Sequence, residues 1–340
     1  MQNHHDAVVA EKAPQLPKIS VIVVTYNQEA TIGRALDSVL CQDYGGEMEV
    51  IVCDDASTDG TPDVCHRYAA RHPDRVRVVV NPENKGLFRN YFDAVAMTTG
   101  DYIADCAGDD VWIGADRLSR LARVLTENPG VSMVCGKWAY RCEGECRPMP
   151  DWRFGNVAVV FDDCRFIMRN LINAVSRPAP YIFLSAALYR RRTLAEQMKL
   201  HPALFTDSAY ICEDMQVIAA MAASGQMAFL PEVVSEYTVG GVSVSSLEEH
   251  GKTARFAMAT LRLRFDLAQA YGVEWSEISG YMTELTQFVL ANTFRAGDAS
   301  LRRELLDFAD ARGIRLPLKG RVLRVLSGSG LLWSVVRRLL

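Results

Sequence analysis

The chain has 340 residues, of which 49% are hydrophobic and 23% charged, a composition typical of a folded globular protein and unlike a disordered, collagenous or coiled-coil chain. Its 37 basic and 41 acidic residues leave a net charge of −4, which excludes general, non-specific electrostatic binding to nucleic acid. Nine scattered cysteines indicate mostly reduced thiols and a cytoplasmic protein.

We do not expect the start of the sequence to be a signal peptide. Residues 1–16 are polar and predict a flexible terminus without the apolar core of a signal peptide. No stretch reaches the ~20 apolar residues of a membrane-spanning helix. We therefore expect a soluble protein, or one that contacts a membrane from one side only.

The first 136 residues alternate between strand and helix patterns. The predicted strands are Ile19–Thr25, Val50–Cys53, Val76–Val80, Tyr102–Cys106 and Val131–Cys135. Apolar residues at helical spacing fall between them: Ile32 to Leu40, a start near Thr61, a helix through Phe92 that ends at Gly100, and Leu118 to Leu125. This alternation predicts an α/β fold with a mostly parallel sheet and right-handed crossovers.

The regular alternation stops after about residue 137. The interval 137–163 is predicted to be irregular, either a loop over a site or a small excursion. A strand is predicted over 182–189, a helix at Glu213–Ser224 and a short strand at Met227–Leu230. From about Leu247 onward the pattern is all-helical.

Polar residues gather where the predicted strands end, which is where open parallel sheets bind ligands. The first two strands end in Thr25-Tyr26-Asn27 and Asp54-Asp55-Ala56-Ser57. For Ser57 and Thr61 we favour helix capping over a site role. The fourth strand is followed by Asp109-Asp110, adjacent carboxylates that repel unless a cation or donor compensates. Mg²⁺ prefers such oxygens, although capping or solvation also explains an isolated pair.

Six segments follow one another along the chain: ISVIVVTYNQEATIGRALDSVLCQ, EVIVCDDASTDGT, NKGLFRNYFDAV, GDYIADCAGDDVW, ICEDMQVIAAMAASG and FLPEVVSEYTVGG. In this order they resemble the motifs of the family 2 glycosyltransferases, which are inverting enzymes with the GT-A fold. The resemblance covers residues 17–246. The resemblance implies a Rossmann-like, mostly parallel sheet flanked by helices. It places a catalytic domain at 17–246, with a nucleotide-sugar half at 17–136 and an acceptor half at 137–246, and leaves 247–340 as a helical C-terminal extension.

By this resemblance, several residues would bind the donor nucleotide. Thr25 and Tyr26 would line the base, and Asp55 would hydrogen-bond its edge. Asn84 and Arg89 would lie near the nucleotide or its diphosphate. Two plainer interpretations stay open, because Arg89 also suits a helix surface and Tyr26 also suits packing.

The resemblance also assigns the reacting groups. Asp109 would face the ribose and metal region, and Asp110 would be the principal ligand of Mg²⁺ or Mn²⁺. Asp214 would be the catalytic base, with Glu213 beside it. A cation would neutralise the leaving diphosphate while the base takes the acceptor proton, so a single displacement would invert the anomeric centre.

The implied substrates are a nucleotide-diphosphate sugar and a carbohydrate or lipid-linked acceptor, in surface polysaccharide, glycolipid or glycoprotein assembly. Two departures stand out. Ala107 replaces the first acid of the Asp-x-Asp found in many relatives, and Tyr237-Thr238-Val239-Gly240 lacks the Arg and His of their Tyr-Arg-x-His. Water or donor phosphate would then complete the metal's coordination. The absence of a Gln-x-x-Arg-Trp segment argues against a processive synthase.

Other functions remain as alternatives. The two departures keep open a catalytically silent sugar-nucleotide-binding or scaffold protein. A sugar-1-phosphate nucleotidyltransferase is less favoured, because TYNQEAT has neither the glycines nor the cation of its phosphate loop. Cys142 and Cys146 are not spaced as a Cys-x-x-Cys zinc pair, so ordinary thiols are favoured.

The last 30 residues carry seven cations and no acid. The cations alternate with leucine, valine and one tryptophan, which suits an interfacial helix on anionic lipid. A helix docked on the domain, with its arginines outward, is an equal alternative. The extension would complete an acceptor site, mediate self-association as a homo-oligomer, or hold the protein near a membrane surface.

Overall fold

The computed structural model describes residues 16–142, 145–148, 158–173, 182–239 and 249–327. The predicted flexible terminus lies outside these ranges except for residue 16, and so does the end of the basic tail from residue 328. The predictions for those segments stay predictions.

The described residues form one large sheet with helices on both faces. Its strands are β1 (Ile19–Thr25), β2 (Met48–Asp54), β3 (Val76–Val80), β4 (Tyr102–Asp105), β5 (Val111–Trp112), β6 (Val131–Cys142), β7 (Glu145–Pro148), β8 (Val159–Phe161), β9 (Ala187–Arg190) and β10 (Gln226–Thr238). The helices are α1 (Ile32–Leu40), α2 (Thr61–Arg71), α3 (Leu87–Met97), α4 (Arg117–Glu127), α5 (Arg165–Ile172), α6 (Arg191–Leu200), α7 (Ala203–Thr206), α8 (Asp214–Ser224), α9 (His250–Ala270), α10 (Trp275–Ala296), α11 (Ala299–Ala311) and α12 (Leu318–Ser327).

The predicted alternation of the first half is confirmed, and β1 and β3 have their predicted bounds. The second half departs from prediction. The interval 137–163 is more regular than expected, because β6 continues to Cys142 and β7 and β8 follow. The strand predicted over 182–189 begins only at Ala187, after a 3-10 turn at Leu184–Ala186.

The strand predicted at Met227–Leu230 extends in the structure to Thr238. The residue after Leu230 is Pro231, which has no N–H to donate to a ladder. The pairing of β10 with β6 shifts register between Phe229 and Val233, so the proline sits in an irregularity where no ladder bond is required.

The strand order is β3-β2-β1-β4-β9-β6-β10-β5, with β7 on β6 and β8 on β10. The three pairs among β3, β2, β1 and β4 are parallel, as is β6 with β10. β9 runs antiparallel between β4 and β6, and it joins the two parallel parts into one sheet. The carboxyl ends of β1, β2 and β4 therefore share one edge, as the sequence predicted.

Both faces of the sheet are buried, which explains the nearly continuous apolar runs in its parallel strands. Successive residues of β1 alternate between two hydrophobic clusters: Ile22 belongs to one, and Val21 and Val23 to the other. The cluster around Ile22 also contains Leu261 of α9, with further members from α10 and α11. The C-terminal helices thus share a core with the sheet. The domain boundaries expected near 137 and 247 stay predictions.

Candidate functional site

The loops after β1 and β2 are bound to each other at the carboxyl edge of the sheet. Asn27 Oδ1 accepts a hydrogen bond from Thr58 N at 2.8 Å, and Asn27 N donates to Ser57 Oγ at 2.8 Å. Gln28 N donates to Thr61 Oγ1 at 2.8 Å. The capping interpretation of Ser57 and Thr61 was wrong, since α2 has a glycine at its N-cap and no side-chain cap. These hydroxyls instead fix one loop against the other.

Backbone strain marks the same two loops. Asn27 has a φ of 52° and Ala56 a φ of 60°, the left-handed region that non-glycine residues rarely adopt. Each such residue costs of order 1–3 kcal/mol and persists only where its surroundings enforce it. The cross-loop hydrogen bonds of Asn27 and Ser57 supply that enforcement.

Asp55 is 3% exposed and organises the loop between β3 and α3. Its carboxylate accepts hydrogen bonds from Asn81 Nδ2 and Lys85 N, each at 2.9 Å, and from Gly86 N at 2.8 Å. Asn84 Nδ2 donates to the Asp55 carbonyl at 3.1 Å. The structure therefore brings Asp55 and Asn84 together. Their contact with a nucleotide stays a prediction.

The other predicted nucleotide contacts differ in accessibility. Thr25 is buried, with Oγ1 donating to Gln28 Oε1 at 2.8 Å, whereas Tyr26 is 45% exposed. Because the Tyr26 ring is exposed, packing in the core does not explain why a tyrosine stands at this position. Arg89 is an exposed residue of α3 and forms an i,i+4 ion pair with Asp93 at 3.1 Å, which accords with the helix-surface interpretation.

The carboxylates of Asp109 and Asp110 follow β4 at the same edge. Asp110 is 1% exposed and accepts from Ser185 Oγ at 2.6 Å and, more weakly, from Thr238 N at 3.4 Å. Burial, then the neighbouring Asp109, raises the pKa of Asp110 to about 8. Asp109 is half-buried, its pKa is also raised, chiefly by burial, and its carbonyl accepts from Thr238 Oγ1 at 2.5 Å. Neither carboxylate forms an ion pair with a residue in the described ranges.

The segment between β4 and these carboxylates passes close to the end of β1. A Cβ at Gly108 would lie 2.8 Å from Thr25 Oγ1, so only glycine fits there without displacing its neighbours. The next residue back, Ala107, donates its N–H to Ser185 Oγ at 3.2 Å. Ser185 thus holds both the Asp110 side chain and the backbone that leads to it.

Ser185 is itself held by a buried arginine that the sequence analysis missed. Arg117 is fully buried at the start of α4 and donates to the carbonyls of Ser185 at 2.9 Å and Ala187 at 3.3 Å. Its guanidinium lies over the Trp112 ring, 3.9 Å from the centroid, and burial lowers the pKa of Arg117 to about 9. The sequence held one indication of this role. A cation at a helix N-terminus is disfavoured by the helix dipole, so an arginine at the start of a helix suggests a specific contact elsewhere.

The two acids at the start of α8 have different environments. Glu213 is the N-cap residue and Asp214 the first helical residue, so the helix begins one residue after the predicted start at Glu213. Glu213 is half-buried with Oε2 lacking any hydrogen-bond partner, and burial followed by the charge of Asp214 raises its pKa to about 8. The side chain of Asp214 is exposed to solvent, yet partial desolvation by the surrounding protein raises its pKa. The Met215 N–H and the charge of Arg264 oppose that rise.

A buried acid links these two parts of the site. Asp105, at the end of β4, has no hydrogen bond of good geometry to either carboxyl oxygen, and its charge raises the pKa of Glu213. Burial raises the pKa of Asp105 to about 7, and the nearby hydroxyls of Tyr189 and Tyr91 oppose that rise. The two hydroxyl oxygens lie 2.5 Å from each other. The sequence signal for this group was an acid within the otherwise apolar predicted strand Tyr102–Cys106.

A metal was expected beside Asp109 and Asp110. In the part of the chain that the structure describes, no three His, Cys, Asp or Glu side chains cluster closely enough to hold one. Two adjacent carboxylates without a counter-cation nevertheless fit a hard cation that keeps water and phosphate as its other ligands. Asp109 is the more accessible of the two.

Two further expectations bear on the surroundings of the site. Eight of the nine cysteines are free, and the side chain of the ninth, Cys146, lies outside those described. No helix within the described residues is long and apolar enough to span a membrane.

Comparison with known proteins identifies the family. The profile described as "Glycosyl transferase family 2" matches residues 20–197, which is more than half of the chain. The chain therefore belongs to glycosyl transferase family 2, as the sequence motifs indicated.

Two sequence relatives show how far the similarity extends. A stretch of 117 residues is 39% identical to an uncharacterized protein of Mycobacterium tuberculosis and covers 34% of each chain. A stretch of 120 residues is 30% identical to the UDP-Glc:alpha-D-GlcNAc-diphosphoundecaprenol beta-1,3-glucosyltransferase WfgD of Escherichia coli, covering 35% of this chain and 45% of WfgD. The matched stretches thus span less than half the length of these relatives.

Two solved structures share the fold over nearly the whole chain. Residues 1–349 of Staphylococcus aureus TarS, in complex with UDP-GlcNAc, align with a TM-score of 0.62 and 20% identity over 94% of this chain and 89% of that one. Mannosyltransferase PcManGT from Pyrobaculum calidifontis, in complex with GDP-Man and Mn²⁺, gives a TM-score of 0.52 and 21% identity over 96% and 89%. These alignments confirm the expected GT-A type architecture.

Proposed function

We propose that this protein is an inverting glycosyltransferase that moves a sugar from a nucleotide-diphosphate sugar to an acceptor hydroxyl, with Asp214 as the base. The observation that carries the proposal is the contrast between two adjacent acids, since Asp214 is exposed whereas Glu213 is half-buried, with one buried oxygen that has no hydrogen-bond partner. A carboxyl with a pKa near 8 keeps its proton at neutral pH, so Glu213 cannot accept another. Asp214 is then the acid of the pair that is free to do so.

The proposed step is a single displacement. Asp214 takes the proton of the acceptor hydroxyl as its oxygen bonds to the anomeric carbon, and the bond from that carbon to the diphosphate oxygen breaks. The nucleoside diphosphate leaves with the bonding electron pair. Because attack and departure occur on opposite faces, an α-linked donor would give a β-linked product.

Asp109 and Asp110 would hold a divalent cation, Mg²⁺ or Mn²⁺. Such a cation supplies electrostatic stabilisation to a departing diphosphate. Ser185 fixes the Asp110 carboxylate through a 2.6 Å hydrogen bond, and Arg117 fixes the Ser185 backbone. Both supports are buried, so the position of the carboxylate is set before any ligand arrives.

The relatives and structural neighbours support the proposed donor and acceptor classes. TarS was solved with UDP-GlcNAc and PcManGT with GDP-Man, which supports a nucleotide-diphosphate sugar as donor. The name of WfgD specifies a lipid-diphosphate-linked sugar as its acceptor, which supports a carbohydrate or lipid-linked acceptor here. Assembly of surface polysaccharide or glycolipid is the proposed context.

Turnover of a panel of nucleotide sugars, with and without Mn²⁺, tests this function. We expect release of nucleoside diphosphate from one donor, dependent on both acceptor and metal. Release of pyrophosphate from a nucleoside triphosphate and a sugar-1-phosphate would instead identify a nucleotidyltransferase. Donor binding without turnover across all acceptors would favour a catalytically silent binding protein.

We further propose that α12 contacts an anionic membrane surface. It has no acidic residue, and its apolar residues Leu318, Val322 and Val325 are exposed, Val325 by 73%. Lys319 and Arg321 give the helix the charge that anionic lipid attracts, at about 1 kcal/mol for each basic residue near the surface.

Co-sedimentation with vesicles containing phosphatidylserine tests this contact. We expect Val325→Ser to weaken binding at low salt and high salt to weaken it for every variant. Leu200→Ser, at a similarly exposed apolar residue of α6, is the matched control and should bind as wild type does. Wild-type protein that stays in the supernatant at low salt would leave α12 as a docked helix.

A further inference from the structure

A row of aromatic side chains crosses two strands at the carboxyl edge of the sheet. Tyr140, near the end of β6, lies opposite Tyr237, near the end of β10, and their ring centroids are 5.9 Å apart. The ring of Phe183, just before the 3-10 turn, has its centroid 5.3 Å from that of Tyr237 and 5.5 Å from that of Trp138 on β6. We call Trp138, Tyr140, Phe183 and Tyr237 the aromatic platform.

The aromatic platform is only partly covered, unlike a cluster in the core. Trp138 is 5% exposed and anchors the row on the sheet, whereas Tyr140, Phe183 and Tyr237 are half-buried. The three successive ring pairs have interplanar angles of 47°, 84° and 87°, tilted or edge-to-face arrangements that are favourable for aromatic rings. Rings that are held against one another and still reach solvent are suited to line a ligand site.

The aromatic platform adjoins the carboxylate of Asp110. β5 begins at the next residue and pairs antiparallel with β10, so that Val111 lies opposite Glu236. The same register carried one residue further places Asp110 opposite Tyr237, and Thr238 N donates to Asp110 Oδ1 at 3.4 Å, in agreement with that placement. Residues directly opposite each other in a sheet have Cβ atoms about 4.5–5.5 Å apart and side chains on one face.

The rings also share a face of the sheet with the helix that carries the proposed base. Phe183 and Tyr237 pack against the hydrophobic cluster around Ile22, and that cluster contains Met215 of α8. Met215 is the residue directly after Asp214. A ligand on the aromatic platform would therefore lie on the face of the sheet that α8 covers.

Strand order separates the aromatic platform from the predicted nucleotide contacts. Thr25 ends β1 and Asp55 follows β2, whereas the platform lies mainly on β6 and β10, with β4 and β9 between β1 and β6. Because β9 is antiparallel to both β4 and β6, the carboxyl end of β6 lies at the same edge of the sheet as those of β1 and β2. A nucleotide at β1 and β2, with its diphosphate at Asp110, leaves the platform to the second substrate.

We propose that the aromatic platform binds the pyranose ring of a carbohydrate acceptor. This rests on the proposed glycosyltransferase function and narrows its acceptor to a sugar. The C–H groups on one face of a pyranose ring form an apolar surface that packs on an aromatic ring, while the hydroxyls at its rim stay free for polar partners. An acyclic polyol has no such face and would gain little from these rings.

The kinetic test is Tyr140→Ala, assayed with the methyl glycosides of glucose, galactose, mannose and N-acetylglucosamine as acceptor probes. We expect KM for the acceptor to rise about tenfold, equivalent to about 1.4 kcal/mol of lost contact, while KM for the donor stays as in wild type. Phe183→Leu removes a second ring but keeps an apolar side chain against the core, and it should act in the same direction. Tyr140→Phe keeps the ring and should restore the wild-type KM.

A matched control separates this effect from the loss of any tyrosine. Tyr68→Ala, at another half-buried tyrosine, on α2, should leave KM for the acceptor unchanged. A rise in KM for the donor in Tyr140→Ala would assign the rings to the donor sugar. A fall in kcat with both KM values unchanged would leave the rings a structural role. Either result would overturn the proposal.

Saturation-transfer NMR with the same methyl glycosides measures binding without turnover. Saturation of the aromatic protons of the protein should pass most strongly to one face of the sugar, such as the face of the β-glucoside that carries its three axial ring hydrogens next to the aglycone carbon and beyond. Tyr140→Ala should weaken this transfer, and Tyr68→Ala should not. No transfer to any probe at millimolar concentration, or transfer that Tyr140→Ala leaves unchanged, would count against the platform and overturn the proposal.

The proposal and the function it rests on can fail separately. Binding of methyl glycosides to the rings of a protein that transfers no sugar would contradict the proposed function and leave the aromatic platform as a saccharide site. Wild-type transfer to glycerol that is as efficient as transfer to every methyl glycoside would leave the glycosyltransferase in place and overturn only the role of the platform.

Discussion

The enclosed acid at the start of α8 makes stability depend on pH in a way that can be calculated. Burial raises the pKa of Glu213 from 4.5 to about 8. Between those values the folded protein holds a proton that the unfolded chain releases, so the contribution of this group to stability falls as pH rises from about 5 to 8. The full pKa shift of Glu213 corresponds to a change of about 5 kcal/mol in the free energy of unfolding, as an upper bound. About 3 kcal/mol of that bound falls between pH 6 and pH 8. Water penetration and relaxation reduce the value expected in this window to about 2 kcal/mol.

The perturbation is Glu213→Gln, which keeps the shape of the side chain and removes its ionisation. Urea unfolding at pH 6 and pH 9 should show the variant gaining about 2 kcal/mol on wild type between the two conditions. Transfer at pH 7 should stay close to wild type, because glutamine resembles the protonated acid. Glu284→Gln, at an exposed acid of α10, is the control and should show no such gain. A stability difference for Glu213→Gln that is the same at both pH values would refute the reasoning.

Two further predictions concern the Asp110 carboxylate. Ser185→Ala removes the hydroxyl that donates to the buried Asp110 carboxylate, and it should lower the free energy of unfolding by about 1–3 kcal/mol. Ser300→Ala, at an exposed position, is the control and should leave that free energy unchanged. Equal effects of the two substitutions in urea unfolding would contradict a stabilising hydrogen bond from Ser185. Asp110→Ala should abolish metal-dependent donor binding with the fold intact. Unchanged calorimetric affinity for a nucleoside diphosphate with Mn²⁺, set against wild type, would remove Asp110 from the metal site.

Local patterns were enough to predict the edge of the sheet where the site lies. The run Ile19–Thr25 is nearly all β-branched and apolar, so its length and its end could be read directly. The start of α8 was predictable to within one residue, because the acidic pair Glu213-Asp214 stands before a long apolar segment. Parallel strands have their carboxyl ends on one side, so strand ends alone indicated where the polar groups meet.

The supporting groups could not be predicted, because they depend on contacts between distant parts of the chain. Ser185 lies in a 3-10 turn 75 residues after Asp110 and carries no local signal of its role. Tyr140 and Tyr237 become neighbours only when β10 pairs with β6. The extension of β10 past Pro231 needed the register shift against β6, which is a property of the pair and not of either strand.

The Asp214→Asn variant tests the central claim most directly, with the donor that the panel of nucleotide sugars identifies. We expect its donor affinity, measured by calorimetry, to match wild type while transfer falls by at least ~10²–10⁴-fold, the typical loss of a general base. Glu213→Gln, measured beside it at pH 7, should transfer normally. Near-normal transfer by Asp214→Asn together with an inactive Glu213→Gln would show that the base is the other acid, and would contradict the account.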